Sequence, residues 1–85
     1  MAKYSISIKP SALKELGDIQ KKIAQQITKK IGGLAENPRP MGSQKLSGQE
    51  RYRLRQGDYR IVYGIDDSNK TIDVVKIAHR REVYS

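Results

Sequence analysis

Residues 51–63 read RYRLRQGDYRIVY, and the rest of the chain can be arranged around this stretch. Apolar and polar side chains alternate before and after Gln56-Gly57, which predicts two strands, at 51–55 and at 58–65. A connection as short as this one joins antiparallel neighbours. The stretch therefore predicts a β-hairpin in the second half of the chain.

The flanking sequence extends this hairpin. Residues 71–78 are rich in β-branched side chains and follow a polar turn, so they predict a third antiparallel strand. Near the N-terminus, Tyr4, Ile6 and Ile8 alternate with serines, which predicts a half-buried strand. Residues 37–43 contain two prolines and are predicted to form a connector.

Between the first strand and the connector, apolar side chains recur every three or four residues, which predicts helices with one buried stripe. Pro10 suits the first turn of the first helix. Gly17-Asp18 interrupts the stripe, and Asp18 is positioned to cap a second helix that ends between Gly32 and Ala35. The stripe consists of Leu13, Leu16, Ile19, Ile23, Ile27, Ile31 and Leu34.

Together the elements predict an α+β fold. An N-terminal strand, a two-helix hairpin and a three-stranded antiparallel meander are expected to form one four-stranded sheet with the helices on one face. A chain of 85 residues suffices for one small core, so residues 1–85 are assigned to a single domain.

The composition excludes several classes of function. The chain has no cysteine and one histidine, so disulfide scaffolds and cysteine nucleophiles are excluded, and neither a metal nor a cofactor is expected. Lys and Arg number 17 against 9 Asp and Glu, and the net charge of +8 favours a polyanionic partner, either nucleic acid or an acidic protein. Apolar runs of signal-peptide or membrane-span length are absent from the sequence, so a cytoplasmic protein without a membrane partner is expected.

All seven arginines lie after residue 38. Strand periodicity places Arg51, Arg53 and Arg55 on the side of their strand opposite the apolar residues, and the hairpin brings Arg60 beside them. Because like charges this close repel, the row predicts a surface that meets an anion such as an RNA backbone. The alternative is a solvated strand face whose charges deter aggregation.

A second concentration of polar chemistry lies at the C-terminus. His79, Arg80, Arg81 and Tyr84 follow the last predicted strand within six residues. They provide a proton donor or acceptor, two positive charges and a ring that can stack on a base, and they are expected to fold back beside Arg60. The alternative is a structural histidine followed by a frayed tail.

Three segments together resemble the RelE toxins of the RelE/ParE superfamily: KLSG at 45–48, YRLRQGDYRIVY at 52–63 and HRREVY at 79–84. The resemblance covers essentially the whole chain and implies a microbial-RNase-like α+β fold. It also implies a toxin of a type II toxin–antitoxin system that enters the ribosomal A site and cuts mRNA there. The implied reaction is metal-independent attack by the RNA's own 2′-OH, leaving a cyclic phosphate and a 5′-hydroxyl.

The resemblance further implies roles for individual residues. Arg51 and Arg53 match basic residues near the cleaved phosphate, and Arg60 matches the arginine that holds it. Arg80 matches an arginine that stabilises charge or protonates the leaving 5′-oxygen, and Tyr84 matches a tyrosine that stacks on or orients the substrate. The residues expected to bind RNA are Lys45, Arg55 and Arg81.

At positions 51 and 53 the chain carries arginine where the family often carries lysine. Because a guanidinium stays protonated, it is a poor general base. His79 or Tyr84 is therefore the better candidate for that role.

The implied partners are a cognate antitoxin, the ribosome with mRNA in its A site, and operator DNA reached through the antitoxin. Two other functions stay open at this point. One is a ParE-like toxin that inhibits DNA gyrase by binding protein, and the other is a non-catalytic RNA-binding module.

Overall fold

A computed structural model describes residues 3–46, 48 and 50–79 of the chain. Within these residues two helices and five strands follow one another along the sequence. They are β1 (Ser5–Ile8), α1 (Pro10–Gly17), α2 (Lys21–Gly33), β2 (Ser43–Lys45), β3 (Arg51–Gln56), β4 (Tyr59–Asp66) and β5 (Thr71–His79). None of the helices in this part of the chain has the length and apolar character needed to cross a membrane.

The strands form one sheet in the order β1-β5-β4-β3-β2. β1 pairs with β5 in parallel, and the other neighbours are antiparallel. The predicted α+β class is confirmed, but the predicted strand count of four is wrong, since the sheet has five strands. The additional strand, β2, consists of Ser43-Gln44-Lys45, which are all polar and show no alternation. It is an edge strand held by main-chain pairing to β3, and the sequence pattern carries no trace of that pairing.

The helices follow the predicted stripe, and they are interrupted after Gly17 as predicted. One member of the stripe is wrong, because Leu13 is 56% exposed and its neighbour Ala12 is buried instead. Pro10 occupies the first turn of α1, where its missing N–H costs no hydrogen bond. The predicted cap of α2 is wrong, because Gln20 is the N-cap of α2 and Asp18 is the C-cap of α1. The two helices are therefore separated by three residues, 18–20.

The sheet has two different faces. The covered face packs against the helices and carries Leu54, Ile61 and Ile77, which are cross-strand partners or neighbours in register. The opposite face carries Arg53 and Arg55. It is called here the arginine face. The core between the helices and the covered face is formed by Ala12, Ile27, Ile31, Leu34, Leu54, Ile61, Tyr63, Ile72, Val74 and Ile77.

One β-bulge changes the alternation of β5. Val62 lies opposite Lys76 while Tyr63 lies opposite Val74, so Val75 is an extra residue in this strand. Before the bulge, Ile72 and Val74 point to the covered face. After it, Ile77 and His79 do so instead, because one inserted residue shifts the alternation by one position.

α1 also covers part of the free edge of β5. Past Val74, where its pairing with β1 ends, the Glu15 carboxylate accepts a hydrogen bond from the Ile77 main-chain N–H at 3.0 Å. Lys76 Nζ lies 3.0 Å from the other oxygen of Glu15. A side chain of α1 thus replaces the next strand and fixes the helix against the sheet.

Candidate nucleic-acid interface

The arginine face is built by β3 and β4. In β3, Tyr52 and Leu54 pack on the covered face, so the arginines that alternate with them project from the other side. Arg60 of β4 is the direct cross-strand partner of Arg55. The hairpin therefore brings the four predicted site residues together on one face. They are Arg51, Arg53, Arg55 and Arg60.

These arginines differ in burial. Arg60 is 3% exposed, whereas Arg51 and Arg55 are exposed and Arg53 is intermediate. A buried guanidinium is costly for a fold to hold, and the surrounding structure keeps it in one place. Arg60 is thus a positive charge held in one position on the arginine face. The exposed side chain of Arg55 beside it can change conformation when a ligand binds.

A cleft of about 270 Å³ opens next to the arginines. It is lined by Gly42, Gln44, Arg53 and Arg55. The volume lies near the lower end of ligand pockets, about 300 Å³. Its polar wall combines guanidinium donors with an amide, a lining suited to phosphate and sugar oxygens.

Gln44 lies directly opposite Arg53 in the pairing of β2 with β3. Arg53 Nη2 donates a hydrogen bond to Gln44 Oε1. The sequence analysis did not single out Gln44, because its position on this face follows from β2, a strand that the sequence does not predict.

His79 lies on the covered face, away from the arginines. Its ring meets that of Tyr59 edge-on, with centroids 5.3 Å apart and planes at 85°. Both line a cavity of about 280 Å³ together with Glu15 of α1 and Asp18, the C-cap of that helix. The expectation that His79 gathers beside Arg60 is therefore wrong for this structure. The bulge at Val75 is the reason, since uninterrupted alternation would have put His79 on the arginine face.

Lys45 also lies on the other side of the sheet from the cleft. It is the partner of Tyr52, one position along from Gln44, and its Nζ lies 3.9 Å from a carboxylate oxygen of Glu50 at the exposed edge. The remaining predicted site residues, Arg80, Arg81 and Tyr84, lie outside the described residues.

Arg39 has a structural role that its residue type does not reveal. Its guanidinium forms two hydrogen bonds to the carboxylate of Asp67, at 3.3 and 2.9 Å, and a third, at 3.0 Å, to the hydroxyl of Tyr52. The Tyr4 hydroxyl donates to Asp67 as well, at 2.6 Å. The connector after α2 is thereby fixed to the β4–β5 turn and to β3, and the same carboxylate holds the segment before β1.

These contacts lower the pKa of the Asp67 carboxylate and raise the pKa values of its two hydrogen-bond donors, Arg39 and Tyr4. The bonds from Arg39 and then from Tyr4 lower the pKa of Asp67 to about 2. The same carboxylate raises the pKa of the Arg39 guanidinium and of the Tyr4 phenol. At neutral pH Asp67 is therefore ionised and holds both donors.

Comparison with known proteins assigns this chain to a class. A family model described as ParE toxin of type II toxin–antitoxin system matches residues 6–84. The chain is 32% identical over 95% of its length, and 86% of the other, to the toxin RelE of Mycobacterium tuberculosis. It is 31% identical to the mRNA interferase toxin RelE of Escherichia coli K12, over 96% of this chain and 90% of that one.

A solved structure agrees in three dimensions. The toxin in the intact Escherichia coli RelBE toxin–antitoxin complex superposes with a TM-score of 0.76 at 29% identity, covering 89% of this chain and 95% of that one. The chain belongs to the RelE family within the RelE/ParE toxins of type II toxin–antitoxin systems.

Proposed function

We propose that this toxin is a ribosome-dependent endoribonuclease that cuts mRNA in the A site. The observation that carries the proposal is the Arg55–Arg60 pair, two like charges opposite each other on one sheet face, one exposed and one buried. Two guanidiniums placed side by side concentrate positive charge and hydrogen-bond donors, which suits them to bind a phosphodiester. The name mRNA interferase carried by the Escherichia coli relative supports the same activity.

The proposed reaction uses a nucleophile that belongs to the substrate. The 2′-oxygen attacks the adjacent phosphorus, the 2′-O–P bond forms and the P–O5′ bond breaks. The 2′ proton passes to a general base, and the leaving 5′-oxygen takes up a proton. The products are a 2′,3′-cyclic phosphate and a 5′-hydroxyl, so the protein supplies positioning, charge neutralisation and proton transfer, and no metal is required.

Each arginine has a proposed part in that reaction. Arg60 holds the scissile phosphate in a fixed place, and Arg51 and Arg53 neutralise the charge that develops on its non-bridging oxygens. Arg55 binds the neighbouring backbone. Arg80 is proposed to protonate the leaving oxygen or to stabilise its charge.

Proton abstraction from the 2′-OH needs a group on the arginine face. Because His79 lies on the covered face against Tyr59, Tyr84 is the stronger of the two candidate bases. Its phenol is also suited to stack on a base of the substrate.

A cognate antitoxin is the proposed protein partner. The Escherichia coli neighbour is a toxin–antitoxin complex by its title. A net charge of +8 on 85 residues suits an acidic amphipathic partner that folds on binding. The pair is further proposed to bind operator DNA through the antitoxin.

The Arg60→Lys variant tests the phosphate-holding role. Lysine keeps the positive charge in the buried position but loses the planar fork that binds two oxygens at once. We expect the rate of mRNA cleavage on programmed ribosomes to fall by about 100-fold, the usual effect of losing one aligned transition-state donor. Lys22→Ala, which changes an exposed lysine of α2, is the control and is expected to cleave like the unaltered toxin.

The substrate offers a second test. A message with a single 2′-deoxynucleotide before the scissile phosphate should stay intact, and the ordinary message should yield a 2′,3′-cyclic phosphate end. Cleavage of the deoxy message would contradict attack by the 2′-OH. Full activity of a correctly folded Arg60→Lys protein, checked by circular dichroism, would contradict the phosphate-holding role.

A gyrase inhibitor of ParE type is the second candidate function, since the matching family model carries the ParE description. The two are separated by one pair of assays on the same preparation. Inhibition of gyrase supercoiling with intact mRNA on ribosomes would favour the ParE-like function. Cleaved mRNA with unaffected supercoiling would favour the ribonuclease.

A further inference from the structure

We infer that Gln44 is a positioning residue that orients the Arg53 guanidinium for catalysis, an inference that rests on the proposed ribonuclease function. The two residues are direct cross-strand partners on the arginine face. The Gln44 amide oxygen accepts a hydrogen bond from Arg53 Nη2, and both side chains line the same cleft.

The geometry of β2 makes this contact specific. Pro40 O accepts a hydrogen bond from Ser43 N at 3.0 Å, closing a four-residue turn. Gly42, the third residue of that turn, has a φ of +96°, which the type II turn requires and glycine adopts at low cost. β2 begins at the next residue, so the turn sets the register that brings Gln44 to Arg53.

An amide is well suited to orient a guanidinium that must bind phosphate. Its oxygen holds one N–H of Arg53 and restricts rotation of the long side chain, which leaves the other N–H groups available to bind a ligand in the cleft. Because the amide is neutral, it leaves the positive charge of Arg53 available to the substrate. A carboxylate at the same position would hold the guanidinium but cancel that charge.

Orientation and charge have separate kinetic consequences, which makes the role measurable. Losing the orientation of Arg53 weakens stabilisation of the transition state and lowers the maximal rate of cleavage. Losing its charge weakens attraction of the RNA in the ground state and raises the concentration needed for half-maximal rate.

Single-turnover cleavage of a short mRNA on programmed ribosomes tests the inference with Gln44→Ala, Gln44→Glu and the unaltered toxin. Gln44→Ala is expected to lower the maximal rate about tenfold with little change in the half-saturating toxin concentration. Gln44→Glu is expected to raise the half-saturating concentration severalfold. Gln25→Ala, on the exposed surface of α2, is the control and should match the unaltered toxin.

A double-mutant cycle with Arg53→Ala identifies the residue through which Gln44 acts. We expect Gln44→Ala to have no further effect once Arg53 is alanine. A Gln44→Ala protein with the unaltered rate, or one that loses tenfold in both backgrounds, would overturn the inference. Absence of cleavage by the unaltered toxin would instead contradict the proposed ribonuclease, so the two failures are distinguishable.

Discussion

Asp67 shows how much of this small domain depends on a single side chain. Its carboxylate receives hydrogen bonds from Tyr4 of the N-terminal segment and from Arg39 of the connector. These residues are 63 and 28 positions away from it in the sequence. The contact therefore closes long loops across the end of the sheet where β4 turns into β5.

This carboxylate should make the fold sensitive to acid. Folding lowers the pKa of Asp67 from its ordinary 3.8 to about 2, because the folded state favours the ionised form. A group with a depressed folded pKa stabilises the protein above its unfolded pKa and stops doing so as the pH falls to the folded value. The stabilisation is thus complete above about pH 4 and lost by about pH 2.

Asp67→Asn tests this prediction. We expect the variant to have a lower free energy of unfolding than the unaltered protein at neutral pH, and the difference to shrink between about pH 4 and pH 2. Urea unfolding followed by circular dichroism at several pH values measures it. Asp58→Asn, in the exposed β3–β4 turn, is the control, and a difference that stayed constant with pH would contradict the assignment.

At the scale of the element, the short edge strand β2 determines the shape of the cleft. It contributes Gln44, and the turn before it contributes Gly42. Three polar residues at a sheet edge add little apolar burial, so their position depends on the preceding turn and on main-chain pairing with β3.

Replacing the turn glycine should therefore affect both stability and activity. We expect Gly42→Ala to lower the free energy of unfolding by about 1 kcal/mol, because alanine is strained at a φ of +96°. Cleavage should fall too, because β2 moves relative to Arg53. Thermal unfolding and the ribosome cleavage assay measure the two effects.

Gly32→Ala is the matched control for that substitution. Gly32 lies in the last turn of α2, and a Cβ added there meets nothing within 4 Å. We expect alanine to stabilise the helix by about 0.5–1 kcal/mol with no change in cleavage. Equal behaviour of the two variants would show that the turn conformation is not what matters at Gly42.

For the whole molecule, the distribution of charge matters more than its total. The net charge is +8, and exposed lysines of the helices carry part of it on the side of the sheet opposite the arginine face. A diffuse charge attracts any polyanion, whereas specific phosphate contacts depend on a few residues. Salt dependence of RNA binding separates these two contributions.

We expect Arg53→Gln to reduce the slope of log affinity against log salt concentration by about 0.7, the value for one phosphate contact on a single strand. Lys22→Ala, which removes the same charge from α2, should leave the slope nearly unchanged. Binding of a short labelled RNA at several salt concentrations measures both. Equal slopes for the two variants would mean that binding follows total charge and not the arginine face.

The amino-acid sequence alone determined the α+β class, the hairpin and the side of β3 on which its arginines lie. Each of these follows from local periodicity, since alternation in Tyr52 and Leu54 assigns a face without reference to the rest of the chain. The hairpin also brings Arg60 beside β3, as predicted, but its exact partner was not determined locally. The turn consists of Gly57-Asp58 and not of the predicted Gln56-Gly57, so Arg60 pairs with Arg55, whereas the predicted turn would have set it opposite Arg53.

The tertiary structure alone decided which other groups join that face. The bulge at Val75 turned His79 to the covered face. Pairing with β3 made a strand of Ser43–Lys45, and an ion pair with Asp67 gave Arg39 a structural role. A bulge, an edge pairing and an ion pair between distant residues all depend on where another segment lies. Local periodicity contains no information about that position, so these features emerge only when the sheet is assembled.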